Sequence, residues 1–213
     1  VDAEELVTLH VAVDMDDVLV DFSGGIRAAI EREFGITIPL GDPWDPAFSA
    51  FGEVHGVPFG KGGAWGWLQE NRHLWSNFPA IPGAVGGLRQ LRQAGHKVEL
   101  LTSKPDWAIP QVYSWLGKWR LQVPKVTIVG KDEVKAEHTD ADILVDDKPS
   151  HVLDFAKSGR AAVWFNRFGL SWTAGFSTED YFNPDYPIAT AVDWPAVVRI
   201  VTDVAHEAER NEP

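Results

Sequence analysis

Three short stretches hold the residues best able to do chemistry: Asp14-Met15-Asp16-Asp17, Thr102-Ser103-Lys104 and Asp146-Asp147-Lys148. A polar connector between the last two adds Lys131 and Lys135. Brought together, they would set several carboxylates beside two hydroxyls and at least one ammonium. Two unit charges ~4 Å apart interact by about 4 kcal/mol at an effective dielectric near 20. Carboxylates packed without compensation would therefore protonate or unfold the site. A divalent cation removes that repulsion. Oxygen-only donors favour a hard ion, and Mg²⁺ typically takes about one or two carboxylates, with waters and a substrate phosphate. A hydroxyl and an ammonium suit the remaining phosphate oxygens. A carboxylate beyond those the metal needs is a nucleophile toward phosphorus. Another is an acid for the leaving alkoxide and then a base for water.

Each of the three stretches closes a predicted strand. Leu9 to Met15 (LHVAVDM), KVELLTS and ADILVDD read as short apolar strands, with PKVTIVG and RAAVWF as two more. Between Asp21 and Phe34, apolar Phe22, Ile26, Ala29, Ile30 and Phe34 recur at helical spacing. Asp21 or Ser23 is the expected cap and Gly35 the stop. PGAVGGLRQLRQAG reads as a helix with Pro82 in its first turn and Gly95 past its end. Asp106 to Arg120, SHVLDFAKSG and Trp194 to Glu209 read as further helices, and residues 166 to 193 as irregular. Such alternation predicts an α/β fold with a parallel sheet covered on both faces. Its ligand site lies beyond the carboxyl ends of the strands. Asp14 and Asp16 share a side only if the strand breaks between them, because alternate residues face opposite ways. Residues 36 to 80, rich in Pro, Gly and Trp, show little periodicity and are too long for a plain connection. A lid or small subdomain is expected there.

Composition limits the partners. The chain has 213 residues and a net charge of −12, from 19 basic and 31 acidic side chains. That balance repels a nucleic-acid polymer or an anionic membrane, and no basic run offsets it. Hydrophobic residues at 45% and charged residues at 23% are globular values, which excludes wholesale disorder. The absence of cysteine excludes disulfides, thiolate nucleophiles and Cys-zinc sites, and a reducing cytoplasm fits. No secretory signal or membrane span is expected from the apolar runs.

Taken in order, DMDDVLVDF, LLTS, a lysine and ILVDDKP resemble the haloacid dehalogenase (HAD) superfamily of phosphatases. More narrowly the chain is similar to the 5′(3′)-deoxyribonucleotidases. Their Asp-Met-Asp-Gly-Val-Leu-Ala-Asp-Phe opening is matched by Asp14 to Phe22, and their Pro-Gly-Ala turn by Pro82 to Ala84. Their Thr-Ser pair is matched by Thr102-Ser103 and their closing Asp-Asp-(Arg/Lys)-Pro by Asp146 to Pro149. The resemblance implies a Rossmann-like core from residues 1–35 and 81–213, with a small, mainly helical cap at 36–80 inserted after the first strand. It implies Asp14 as nucleophile and Mg²⁺ ligand, and Asp16 as general acid/base with its carbonyl on the metal. Asp146 and Asp147 complete the metal site. Thr102, Ser103 and a connector lysine hold phosphate, and Phe22 contacts substrate. Lys135 is preferred because its spacing before the Asp-Asp pair is nearer the family's than that of Lys131. One departure stands out: Asp17 occupies the position where the family has glycine.

Read singly, each feature has a plainer meaning. Asp14 and Asp16 would cap a helix, Thr102-Ser103 would make a turn, Asp146-Asp147 would enter a helix, and Lys135 would be solvated. Their joint order carries the functional reading. Tryptophans 44, 65, 67 and 75 belong to a cap core or to a wall on which a base stacks, and Trp75 is taken with Phe22 as substrate-binding. His138 and His151 are read as surface residues. The expected enzyme is a Mg²⁺-dependent phosphomonoesterase acting on (deoxy)ribonucleoside monophosphates through an aspartyl-phosphate. Its partner is a small phosphomonoester, and a homodimer is compatible with the sequence. The competing readings are a phosphatase for a sugar phosphate or other small organophosphate, a receiver-like module, and a non-catalytic binding protein.

Overall fold

The computed structural model describes residues 7–39, 51–130, 132–170, 183 and 185–211. In chain order the elements are β1 (His10–Val13), α1 (Phe22–Phe34), α2 (Phe51–His55), α3 (Gly63–Glu70), α4 (Ala84–Gln93), β2 (Lys97–Ser103), α5 (Ile109–Lys118), β3 (Val126–Val129), β4 (Ile143–Asp146), α6 (Pro149–Lys157), β5 (Ala161–Phe165), β6 (Ile188–Ala191) and α7 (Trp194–Asn211). Short 3₁₀ turns lie at Arg72–Asn77, Asp106–Ala108 and Lys135–Glu137. By their contacts the residues form two compact units: Val1–Leu19, Ile81–Ser103 and Val123–Pro213 in one, Val20–Ala80 and Lys104–Gln122 in the other.

The first unit holds a parallel sheet in the order β3-β2-β1-β4-β5-β6. The parallel, Rossmann-like sheet expected from sequence is present. The chain works outward from β1 to β3 and then returns to lay β4 on the other side of β1. The order therefore reverses between β1 and β4, and a ligand site is expected beyond their carboxyl ends. Val11 to Val13 and Ile143 to Val145 are wholly buried, as strands covered on both faces must be. Ala12, Leu144, Ala162 and Trp164 pack with Val152, Phe155 and Ala156 of α6. Phe165 faces the other way and meets Trp194 of α7 at 6.3 Å between ring centroids.

Two glycines let α4 approach α7. Gly83, at φ 84°, makes the Pro-Gly-Ala turn, so the helix begins at Ala84 and Pro82 stands before it. A methyl group on Gly87 would stand 2.4 Å from Cε3 of Trp194. The Trp194 indole donates to the Val18 carbonyl at 2.8 Å, tying α7 to the turn after β1. Ile188–Ala191 corrects the reading of residues 166–193 as irregular throughout. Its segment IATA pairs in parallel with β5 as an edge strand. Small residues and the preceding Pro187 leave almost no period-two signal there.

The second unit is helical. Asp21 caps α1 by accepting from the Gly24 N–H at 2.9 Å, and Gly35 ends it at φ 69°. Its buried stripe of Phe22, Ile26, Ala29 and Ile30 is the one read from sequence. Truncating either isoleucine to alanine would cost about 2–5 kcal/mol. Aromatic rings dominate the packing: Phe34, Phe59 and Trp67 form one group, and Phe22, Trp75, Phe78 and Trp107 another. This unit takes in α1 and Lys104–Gln122 besides the described part of residues 36–80. Among the described residues no helix is long and apolar enough to cross a membrane.

Candidate active site

The strand ends of the first unit bring the polar residues together. The Asp14 N–H donates to the Val145 carbonyl at 2.9 Å, the last rung between β1 and β4. The chain then leaves strand geometry: Leu19 N–H returns to the Met15 carbonyl at 2.8 Å, and Asp17 stands at φ 52°. That break is what a shared side for Asp14 and Asp16 requires. Asp146 closes β4, Thr102 and Ser103 close β2, and Lys135 opens the 3₁₀ turn between β3 and β4. Carboxylate oxygens of Asp14, Asp146 and Asp147 all lie within 4.8 Å of one another.

Lys135 is buried at the centre. Its Nζ lies 2.8 Å from Oδ1 of Asp14 and 2.6 Å from Oδ2 of Asp146. Asp146 also accepts from the Lys148 backbone N–H at 2.9 Å, and Nδ1 of His151 stands 3.2 Å from its Oδ2. Asp147 is pinned through its backbone, whose carbonyl accepts from the Trp164 indole at 3.0 Å. Ser103 donates to the Gly130 carbonyl at 3.1 Å. Thr102 is wholly buried, and its hydroxyl has no hydrogen-bond partner among the described residues.

The carboxylates divide electrostatically. Burial alone would lift Asp146, but Lys135 and His151 outweigh it and hold its carboxyl well below the usual range. Burial likewise opposes the charge on Lys135, yet Asp14 and Asp146 hold its ammonium well above an ordinary lysine. Asp147 is pushed well above the usual carboxylate range, by burial first and then by the charges of Asp146, Asp17 and Asp14. Lys135 therefore compensates only part of the cluster. An oxygen-only set with excess negative charge fits a hard divalent cation such as Mg²⁺.

Not every residue singled out from sequence joins this group. The side chain of Asp16, which is partly exposed, is not among the three clustered carboxylates. Phe22 and Trp75 lie in the second unit with ring centroids 5.0 Å apart, and both are buried. Lys104 belongs there too, its ammonium 5.0 Å from the Trp75 ring centroid. Lys131 and Trp44 lie outside the described residues. His151 is corrected: it is partly buried against Asp146 and is not a free surface residue. A lone histidine in a helix gives no sequence signal of such a partner. Arg167 was not singled out either, although its Nη2 donates to Oδ1 of Asp17 at 3.1 Å.

A sequence model of the family described as 5′ nucleotidase, deoxy (pyrimidine), cytosolic type C protein (NT5C) matches residues 8–167. No curated protein matches the chain significantly. The fold is similar to that of the HAD-hydrolase YfnB from Bacillus subtilis bound to magnesium, at 13% identity and TM-score 0.63, covering 91% of this chain and 98% of that one. A haloacid dehalogenase-like hydrolase from Xanthomonas campestris is similar at 15% identity and TM-score 0.59, covering 97% and 100%. A haloacid dehalogenase-like protein from Streptococcus pneumoniae gives 16% identity and TM-score 0.57, covering 91% and 98%. At these identities the likeness establishes the HAD-like α/β fold.

Proposed function

Because the chain belongs to the 5′ nucleotidase, deoxy (pyrimidine), cytosolic type C family of phosphoric monoester hydrolases, we propose that it is a Mg²⁺-dependent nucleotidase of (deoxy)ribonucleoside monophosphates. The family's description favours pyrimidine deoxynucleotides and a cytosolic setting. One observation carries the reading most. Lys135 bridges Asp14 and Asp146, Asp147 joins the same cluster, and the unpartnered Thr102 hydroxyl stands at the end of the neighbouring strand β2. A phosphoryl group needs that combination of nucleophile, cation and donor.

In the proposed reaction a carboxylate oxygen of Asp14 attacks phosphorus and the bond to the leaving oxygen breaks. Asp16 gives its proton to the departing alkoxide, which leaves as the nucleoside. Asp16 then takes a proton from water, which attacks the aspartyl-phosphate and returns Asp14 and inorganic phosphate. Thr102 and Lys135 hold phosphoryl oxygens, with Ser103 beside them. Asp14, Asp146, Asp147 and the Asp16 carbonyl are the proposed holders of Mg²⁺. When bound, the ion screens the repulsion between the attacking carboxylate and the phosphate oxygens. Phe22 and Trp75 are proposed as part of the base-recognition wall. Both rings are buried, so the proposal gives them a packed wall and not a free platform.

The test is a phosphate-release screen over deoxynucleoside, ribonucleoside and sugar monophosphates with Mg²⁺, repeated in EDTA. Turnover of nucleotides that EDTA stops and Mg²⁺ restores supports the reading. Release from sugar phosphates alone redirects the substrate, and release that survives EDTA removes the metal.

A further inference from the structure

A buried carboxylate at position 17 is a liability beside a site for an anion. Asp17 is 3% exposed and stands at φ 52°, where glycine is at ease and other residues are rare. The backbone admits an aspartate there more readily than most side chains, but does not demand one. Its side chain sits in the turn that leaves β1, next to Asp16 and three residues after Asp14. It also has a cation. Nη2 of Arg167 donates to Oδ1 of Asp17 at 3.1 Å, across 150 residues of sequence. Arg167 follows the end of β5, the strand beside β4, and its own side chain is 15% exposed. Its guanidinium carbon lies 4.4 Å from the Phe168 ring centroid, within cation–π range.

We propose that Arg167 is a positioning residue of the hydrolytic site: it neutralises Asp17 and braces the turn carrying Asp14 and Asp16, so that a phosphate dianion can approach. The inference rests on reading the site as a phosphomonoesterase. Asp17 and Arg167 then act as a unit, in which the carboxylate is not tolerated without the guanidinium. Removing the guanidinium takes one positive charge from beside Asp17 and sets the substrate against more net negative charge. Removing both restores the balance, because glycine adopts the same left-handed turn.

The experiment compares wild type, R167Q, R167K, D17G and the D17G/R167Q double variant, each with Mg²⁺. The readouts are KM and kcat for a generic aryl phosphate and the Ki of inorganic phosphate. R167Q is expected to raise Ki and KM at least about tenfold, with a smaller effect on kcat. R167K keeps the charge and a single donor, so its Ki stays near that of wild type. The double variant returns to near wild type, and D17G binds phosphate as tightly or more tightly. A structural brace alone would change thermal stability and leave this charge-ordered series of Ki values flat. A folded R167Q with wild-type Ki overturns the proposal, as does a double variant as weak as R167Q or a D17G weaker than wild type. Should R167Q not fold, R167K, D17G and the double variant decide by the same criteria. A wild type that hydrolyses no phosphomonoester sinks the functional reading instead.

Discussion

Lys135 and Asp14 form a buried ion pair, with Nζ 2.8 Å from Oδ1. Lysines are seldom buried unless paired, and this one serves Asp146 as well. The substitution K135Q would leave two acidic groups without their cation. Breaking a buried pair from one side costs about 3–5 kcal/mol, and that loss is expected in urea unfolding of the metal-free protein. Losing a fixed charge beside the phosphoryl group should also lower kcat/KM about 100-fold or more. A K135Q protein as stable and as active as wild type would show that the ammonium belongs to neither task.

Asp147 predicts a trade of stability against activity. Its carboxyl is raised in the folded chain, so the native state holds a proton there that the unfolded chain releases. Its contribution to stability is largest below the unfolded carboxylate value and falls as pH climbs toward the folded value. Asp146 runs the other way: its carboxyl is lowered, so its contribution is present above the unfolded value and disappears only in stronger acid. In EDTA at pH 7, D147N should therefore be more stable than wild type by ~1–2 kcal/mol. The gap should narrow as the pH is lowered toward 4. With Mg²⁺ the same variant should lose at least about 100-fold in kcat/KM. Thermal unfolding across that pH range checks the claim, and a D147N protein less stable than wild type throughout would refute it.

Much of this arrangement could be read from the chain because it is local. Helix α1 announces itself by period, by Asp21 before it and by Gly35 after it, and the structure uses both ends as expected. The strands that end in Asp14, Ser103 and Asp146 were legible as apolar runs, and the parallel order followed from their alternation with helices. What escaped was long-range or weakly patterned. Nothing near Asp17 in sequence points to Arg167, because the pairing depends on how far β5 lies from β1 in the finished sheet. His151 gave no hint of Asp146, because the third residue of α6 meets the preceding strand end only through the turn that joins them. Edge strand β6 was invisible for the opposite reason: its residues are small and half covered, so burial imposes little alternation.

Thr102 offers a cleaner separation of binding from folding. Its side chain is wholly buried, yet the hydroxyl has no partner among the described residues. An unmade hydrogen bond of this kind costs about 1–3 kcal/mol. Valine keeps the branched shape that suits a strand and removes the hydroxyl. T102V should therefore leave the metal-free protein as stable as wild type, or more stable by ~1 kcal/mol, while the Ki of inorganic phosphate rises about tenfold. Urea unfolding and phosphate inhibition measured on the same preparation distinguish the roles. A destabilised T102V with an unchanged Ki would make the hydroxyl a structural group.

The proposed covalent step falls on Asp14, and asparagine at this position isolates it. The amide has nearly the shape of the carboxylate, and Lys135 keeps its other partner Asp146 at 2.6 Å, so the fold should persist. An amide is a far poorer nucleophile toward phosphorus. D14N is expected to lower kcat by about 10⁴-fold or more. Labelled phosphate from the substrate should remain on wild-type protein after an acid quench, come off in hydroxylamine as an acyl phosphate does, and be absent from D14N. Label retained on D14N would move the nucleophile to another carboxylate. Full turnover with no label on either protein would mean that water attacks the substrate directly, leaving Asp14 only as a holder of charge beside Lys135.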